Sequence, residues 1–119
     1  MLTKVRSLKR LTLLLPGQDS QESGLSDLCL PEHLWEQGYP KVMEYCPGDR
    51  PLRSFWKHYR GPGAELALRG EDLLSLYADS LQMVLLCERN SPLAHFLDGM
   101  ARHCLLAHRL RGSLHVVVD

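Results

Sequence analysis

The segment "SLHVVV", residues 113 to 118, constrains the fold more than any other stretch. Three consecutive β-branched valines favour a strand, and a strand satisfies its backbone N–H and C=O groups only beside neighbours in a sheet. "RLTLLL", residues 10 to 15, is a second strand-compatible run, cut off by Pro16-Gly17. "AELALR", residues 64 to 69, alternates apolar and polar positions with one blurred residue, as a half-buried strand does. A purely helical fold is therefore excluded as the expectation, and an α+β domain takes its place.

The best-marked helix covers residues 92 to 111. Ser91 is a suitable N-cap, Pro92 fits the first helical position and Gly112 supplies the stop. On a helical wheel Leu93, Leu97, Met100, Cys104, Ala107 and His108 share one face with Phe96 at its edge, while His95, Asp98, Arg102 and Arg109 lie opposite. The expected architecture is a single small domain over residues 1–119: a mostly antiparallel sheet, this amphipathic C-terminal helix and a final strand.

Residues 71 to 89 admit two readings. Asp72, Ser75, Asp79 and Gln82 form a polar stripe at helical spacing, which would make a helical hairpin over 71–111 and a largely α fold. Alternatively, "DLLSLYA" and "SLQMVLLCE" are two strands, the apolar run from Met83 to Cys87 being buried on both faces. Elsewhere, residues 16–27, "PGQDSQESGLSD", carry almost no apolar side chains and predict a flexible loop. A short helix starting at Pro31 should end at Gly38. The Pro-rich stretch 38–63 should be irregular, with one helix at 51–59 capped by Asp49.

The string "SLQMVLLCERNSPL", residues 80–93, resembles the strand, turn and helix start of longin-like domains in the Fuzzy and Inturned planar-polarity effectors and the Hermansky–Pudlak trafficking subunits. The pattern is a Ser-Leu start, alternating apolar residues into Leu85-Leu86-Cys87, a polar turn, and Pro92-Leu93 opening a helix. The resemblance implies strands over 72–88 and a non-catalytic complex subunit that regulates small GTPases in membrane traffic or ciliogenesis. It carries no catalytic residue.

Composition narrows the function further. Fourteen acidic and fourteen basic residues balance, so no global field recruits nucleic acid or an anionic membrane, although a local patch is compatible with this. No apolar run approaches the roughly eighteen residues of a helical membrane span. Cys29, Cys46, Cys87 and Cys104 form no CxxC pair, and no secretory signal stands at the start, which together point to reduced thiols in the cytoplasm. The acid-free opening with Lys4, Arg6, Lys9 and Arg10 gives the mitochondrial matrix as a minor alternative.

Three chemistries compete. Cys104 and His108, one turn apart, could supply two metal ligands with Cys87 or His115 completing a site; the same Cys87, Cys104 and His108 define the metal-dependent or thiol-enzyme alternative. Against it, a cysteine amid Leu and Met is ordinarily core, and no GxSxG, HExxH, P-loop or dinucleotide motif occurs. "RSFWKHYR", residues 53–60, mixes aromatic and basic residues as single-strand nucleic-acid binders do, but as an amphipathic helix it is equally a core-facing aromatic stripe. The preferred reading is a protein–protein interaction module without a cofactor, possessing a protein partner and open to hetero-oligomer formation. Its expected contact residues are Trp56, Tyr59 and Arg60, with Trp35 second, because Trp, Tyr and Arg dominate interface energetics.

Overall fold

The computed structural model describes residues 9–16, 26–59 and 66–118. Two strands, β1 (Lys9–Leu14) and β2 (Ser26–Leu30), precede helices α1 (Glu32–Tyr45) and α2 (Pro51–Lys57). Then come a short strand β3 (Leu66–Leu68), helices α3 (Glu71–Leu86) and α4 (Pro92–Arg109), and the last strand β4 (Ser113–Val118). The sheet is antiparallel in the order β2-β1-β4-β3. "SLHVVV" finds two neighbours, and the final strand closes the sheet between β1 and β3. Leu11 stands opposite both Leu28 and Val116, and Leu13 opposite Leu114. Strand alternation thus puts Leu11, Leu13, Leu114, Val116 and Leu68 into one buried row against the helices. The α+β class, the antiparallel sheet, the C-terminal helix and the final strand all appear as the residues suggested.

Residues 71 to 86 correct the strand reading and, with it, the strands over 72–88 that the longin-like pattern implies. They form the single helix α3, which pairs with α4 as a helical hairpin inside the α+β fold. The apolar run that suggested a doubly buried strand is split by helical periodicity: Met83 is buried while Leu85 and Leu86 face out. Asn90, at φ 61°, turns the chain into α4, where the Ser91 hydroxyl accepts from Ala94 N at 3.1 Å.

Gly38 is the second correction. It does not end α1, which continues through Pro40 to Tyr45, so the first part of the stretch expected to be irregular is regular helix. Gly38 is buried, and a Cβ there would come 2.6 Å from Trp56 Cζ2. The glycine is thus a point of close approach between α1 and the indole, not a stop signal. Pro40 removes a helical N–H, but it sits on the exposed side, where water can serve the carbonyl of Glu36. The Asp49 cap is also not used: Arg50 occupies the N-cap of α2 without a side-chain cap bond. Residues 60–65 and most of the expected loop at 16–27 lie outside the described residues.

Around Trp56 the core is aromatic. Its ring meets Phe55 at 5.6 Å and Phe96 at 5.9 Å, both edge-on, a favourable aromatic geometry. Lys9 is fully buried beside it, its ammonium donating to the carbonyls of Phe55 and His58 and lying 4.4 Å from the Phe55 ring centroid. Those partners offset the cost of burying the amine at the C-terminal end of α2, while desolvation pulls its pKa down to about 8.

Replacing Gly38 by Ala should cost about 1–3 kcal/mol in thermal or urea unfolding because the new methyl must displace an indole locked in the core. Gly48→Ala, where a Cβ meets nothing within 4 Å, should stay within about 0.5 kcal/mol of wild type. Equal effects at the two glycines would contradict this packing.

Candidate functional site

Two faces of α3 carry leucines, and only one can enter the core. Leu73, Leu76, Ser80 and Met83 point inward, and Asp79 goes with them. A buried carboxylate requires a partner, and Arg50 supplies one: Nη2 donates to Asp79 Oδ1 at 2.8 Å, and Nε donates at 3.0 and 3.2 Å to Oδ1 and Oδ2. That hydrogen bonding holds the Arg50 guanidinium above its ordinary pKa. Beside it the Cys46 thiol lies 3.9 Å from Asp79 Oδ2; burial and the nearby carboxylate push its pKa up. Arg53 donates to the carbonyls of Met43 and Cys46 at 2.6 and 3.0 Å, and Lys41 Nζ to Leu86 O at 2.6 Å. The ends of α1 and α3 are thereby satisfied by cations from neighbouring elements.

With Asp79 drawn inside, the opposite side of α3 shows Leu74, Ala78, Leu81 and Leu85 to solvent. Their spacing of four, three and four residues is that of a helix–helix seam. Leu85 is 83% exposed, far beyond an ordinary surface leucine. It stands as a ridge between two grooves. One, of about 310 Å³, runs along Tyr45, Pro47, Gln82 and Leu86; the other, of about 410 Å³, runs along Val84, Cys87, Asn90 and Ala94. Tyr45 and Leu86, 57% and 41% exposed, extend the apolar surface on the first side.

Two of the contact residues expected from sequence, Trp56 and Tyr59, lie in the core, which corrects their assignment. Trp56 has no exposed surface and Tyr59 only 5%. The Tyr59 hydroxyl donates to Leu30 O at 2.6 Å. Trp35 is half-buried; its Nε1 donates to Trp56 O at 2.7 Å, while Trp56 Nε1 donates to Trp35 O at 2.8 Å. Trp56 and Tyr59 are thus core side chains with no surface for a partner, whereas Trp35 keeps part of its surface exposed beside them. Arg60 lies outside the described residues. The same burial removes the stacking platform that the nucleic-acid reading of 53–60 needs, and Arg53 is spent on α1 carbonyls.

The thiol and metal candidates do not converge. Cys104 is wholly buried, and desolvation pushes its thiol up to about 12, the reverse of an activated nucleophile. Cys87 is half-buried at the end of α3 and also raised by desolvation, whereas His108 is exposed. Among the described residues no three His, Cys, Asp or Glu side chains come together as a metal site. The face assigned to α4 is otherwise as the wheel placed it, with Leu93, Leu97, Met100, Cys104 and Ala107 inside.

The outward seam of α3 was visible in the sequence as apolar residues at 74, 78, 81 and 85. The polar stripe at 72, 75, 79 and 82 competes with it as the apparent solvent face, yet Asp79, in that stripe, is buried.

Native thiol labelling followed by peptide mapping should modify exposed Cys29 quickly, while Cys46 and Cys104 react only after denaturation. Rapid native labelling of Cys104 near neutral pH would contradict its place in the core. No family model matches the chain, and no curated protein or solved structure does.

Proposed function

We propose that the chain is a non-catalytic protein–protein interaction module, a subunit of a complex, that docks an amphipathic helix of a different protein along Leu74, Ala78, Leu81 and Leu85. The observation that carries this is the exposed 4-3-4 apolar seam, with Leu85 raised between two grooves that can receive knobs from a facing helix. Small Ala78 in the middle permits close approach of a partner backbone. Antiparallel self-pairing would set Glu71 and Asp72 of one copy against the last turn of α3 in the other, which carries no basic residue, so the helix is not charge-complementary to a second copy of itself and favours a different chain. An antiparallel partner helix with Lys or Arg in its last turn would instead meet Glu71 and Asp72, complementing both the carboxylates and its own dipole. The narrower link to small-GTPase regulation in membrane traffic or ciliogenesis is carried by the sequence resemblance of residues 80–93 alone.

A benzophenone amino acid in place of Leu85 should cross-link to an apolar position of an amphipathic helical segment in the partner. A synthetic peptide of that segment should bind the wild-type chain and lose about tenfold or more in affinity with Leu81→Glu, a substitution at an exposed site that leaves the unfolding transition in place. Peptide affinity unmoved by Leu81→Glu, or a symmetric homodimer in sedimentation velocity that Leu81→Glu dissociates, would overturn the proposal.

A further inference from the structure

A third hollow, of about 620 Å³, lies away from the outward face of α3, at the end of the sheet where β4 begins. Its charged and polar wall is built from four separate segments. Arg69 comes from the turn before α3, His108 from the last turn of α4, Arg111 from the α4–β4 turn and His115 from β4. Among the described residues no aspartate or glutamate lines it. Glu71 and Asp72, the nearest acids in sequence, begin α3 as exposed side chains and are not part of the wall. Among the described residues neither Arg69 nor Arg111 has an ion-pair partner. In a chain whose formal charges balance, a hollow holding two guanidiniums and two imidazoles, with no carboxylate among the described residues of its wall, concentrates positive potential.

The backbone at this place points the same way. The turn after α4 is fixed by three hydrogen bonds: Leu110 N to Leu106 O, Arg111 N to His108 O and Gly112 N to Ala107 O, at 3.0, 3.2 and 2.9 Å. Gly112 packs directly on the carbonyl of Leu14, leaving no room for a side chain. Arg111, just before it, stands at φ 56°, the left-handed region in which glycine or asparagine is the ordinary residue after a helix. A long cationic side chain is therefore held in the cavity wall at a conformational cost that glycine would avoid. His108 and His115 share this cavity and would suit a metal ion by themselves, but two arginines beside them repel a cation and suit an oxyanion.

We infer that this cleft binds a phosphate-type oxyanion, with Arg69 and Arg111 as the charged fork and His108 and His115 as further donors. The phosphoryl group belongs either to a small soluble ligand or to a phosphorylated lipid headgroup; the chemistry recognised is the same. The cleft is independent of the proposed helix-docking face.

Isothermal titration of the whole chain with inorganic pyrophosphate should show saturable binding. Arg111→Gly should weaken it by about tenfold or more while the melting temperature holds or rises, since glycine relieves the left-handed backbone. Arg69→Gln should weaken binding similarly, whereas Arg102→Gln, on the exposed side of α4, should leave it unchanged. Co-sedimentation with phosphatidylcholine vesicles containing phosphatidylinositol bisphosphate, lost in Arg69→Gln and Arg111→Gly, would assign the lipid source; pyrophosphate binding without vesicle binding would assign a soluble ligand. Absence of both, or binding that survives Arg69→Gln and Arg111→Gly, would overturn the inference.

Discussion

The reciprocal bond between two tryptophans is the constraint on which the rest of this fold depends. Trp56 and Trp35 each donate an indole N–H to the other's backbone carbonyl, so two large rings are buried or half-buried with their only polar atoms satisfied. That arrangement needs α1 to come within contact of the Trp56 ring, which Gly38 alone permits. From the same cluster Phe55 and Trp56 meet Phe96 of α4, Tyr59 fastens the exit of α2 to β2, and Lys9 fastens β1 to the last carbonyls of α2. Truncating an aromatic side chain at such a centre ordinarily costs about 3–5 kcal/mol, a large share of the stability of a domain this size.

Once these rings occupy the interior, little freedom remains in how α3 can lie. The Arg50–Asp79 pair sits at the start of α2, immediately ahead of the aromatic residues, and draws the middle of α3 toward the α1–α2 corner. Removing one partner would leave a buried charge without compensation, so the pair selects an orientation even though its net contribution to stability is modest. The outward leucines follow from that orientation. A helix with leucines on both sides must expose one set, and the buried carboxylate decides which.

Much of the fold was legible in the residues themselves. Ser91, Pro92 and Gly112 delimit α4 through local chemistry, and "SLHVVV" announces a paired strand whatever surrounds it. Features set by distant contacts were not legible. Gly38 reads as a stop until Trp56 is seen against it, and residues 83 to 87 read as a buried strand until helical geometry separates Met83 from Leu85. Trp56 and Tyr59 have the composition of an interface and the burial of a core, a distinction that composition cannot make. The α3 seam was present at 74, 78, 81 and 85, but its direction depends on Arg50, over twenty residues upstream. The basic cleft is harder still, because its four side chains come from four segments that only the closed sheet and helical hairpin assemble.

The orientation of α3 is tested most directly by carbene footprinting of the native chain with residue-level mass analysis. Heavy labelling of Leu74, Leu81 and Leu85, with Leu73, Leu76 and Met83 protected until denaturant is added, is the expected pattern. Protection of Leu81 and Leu85 in the isolated monomer, with labelling shifted to Leu76 and Met83, would mean that the leucine seam faces the core, and the docking face would not exist.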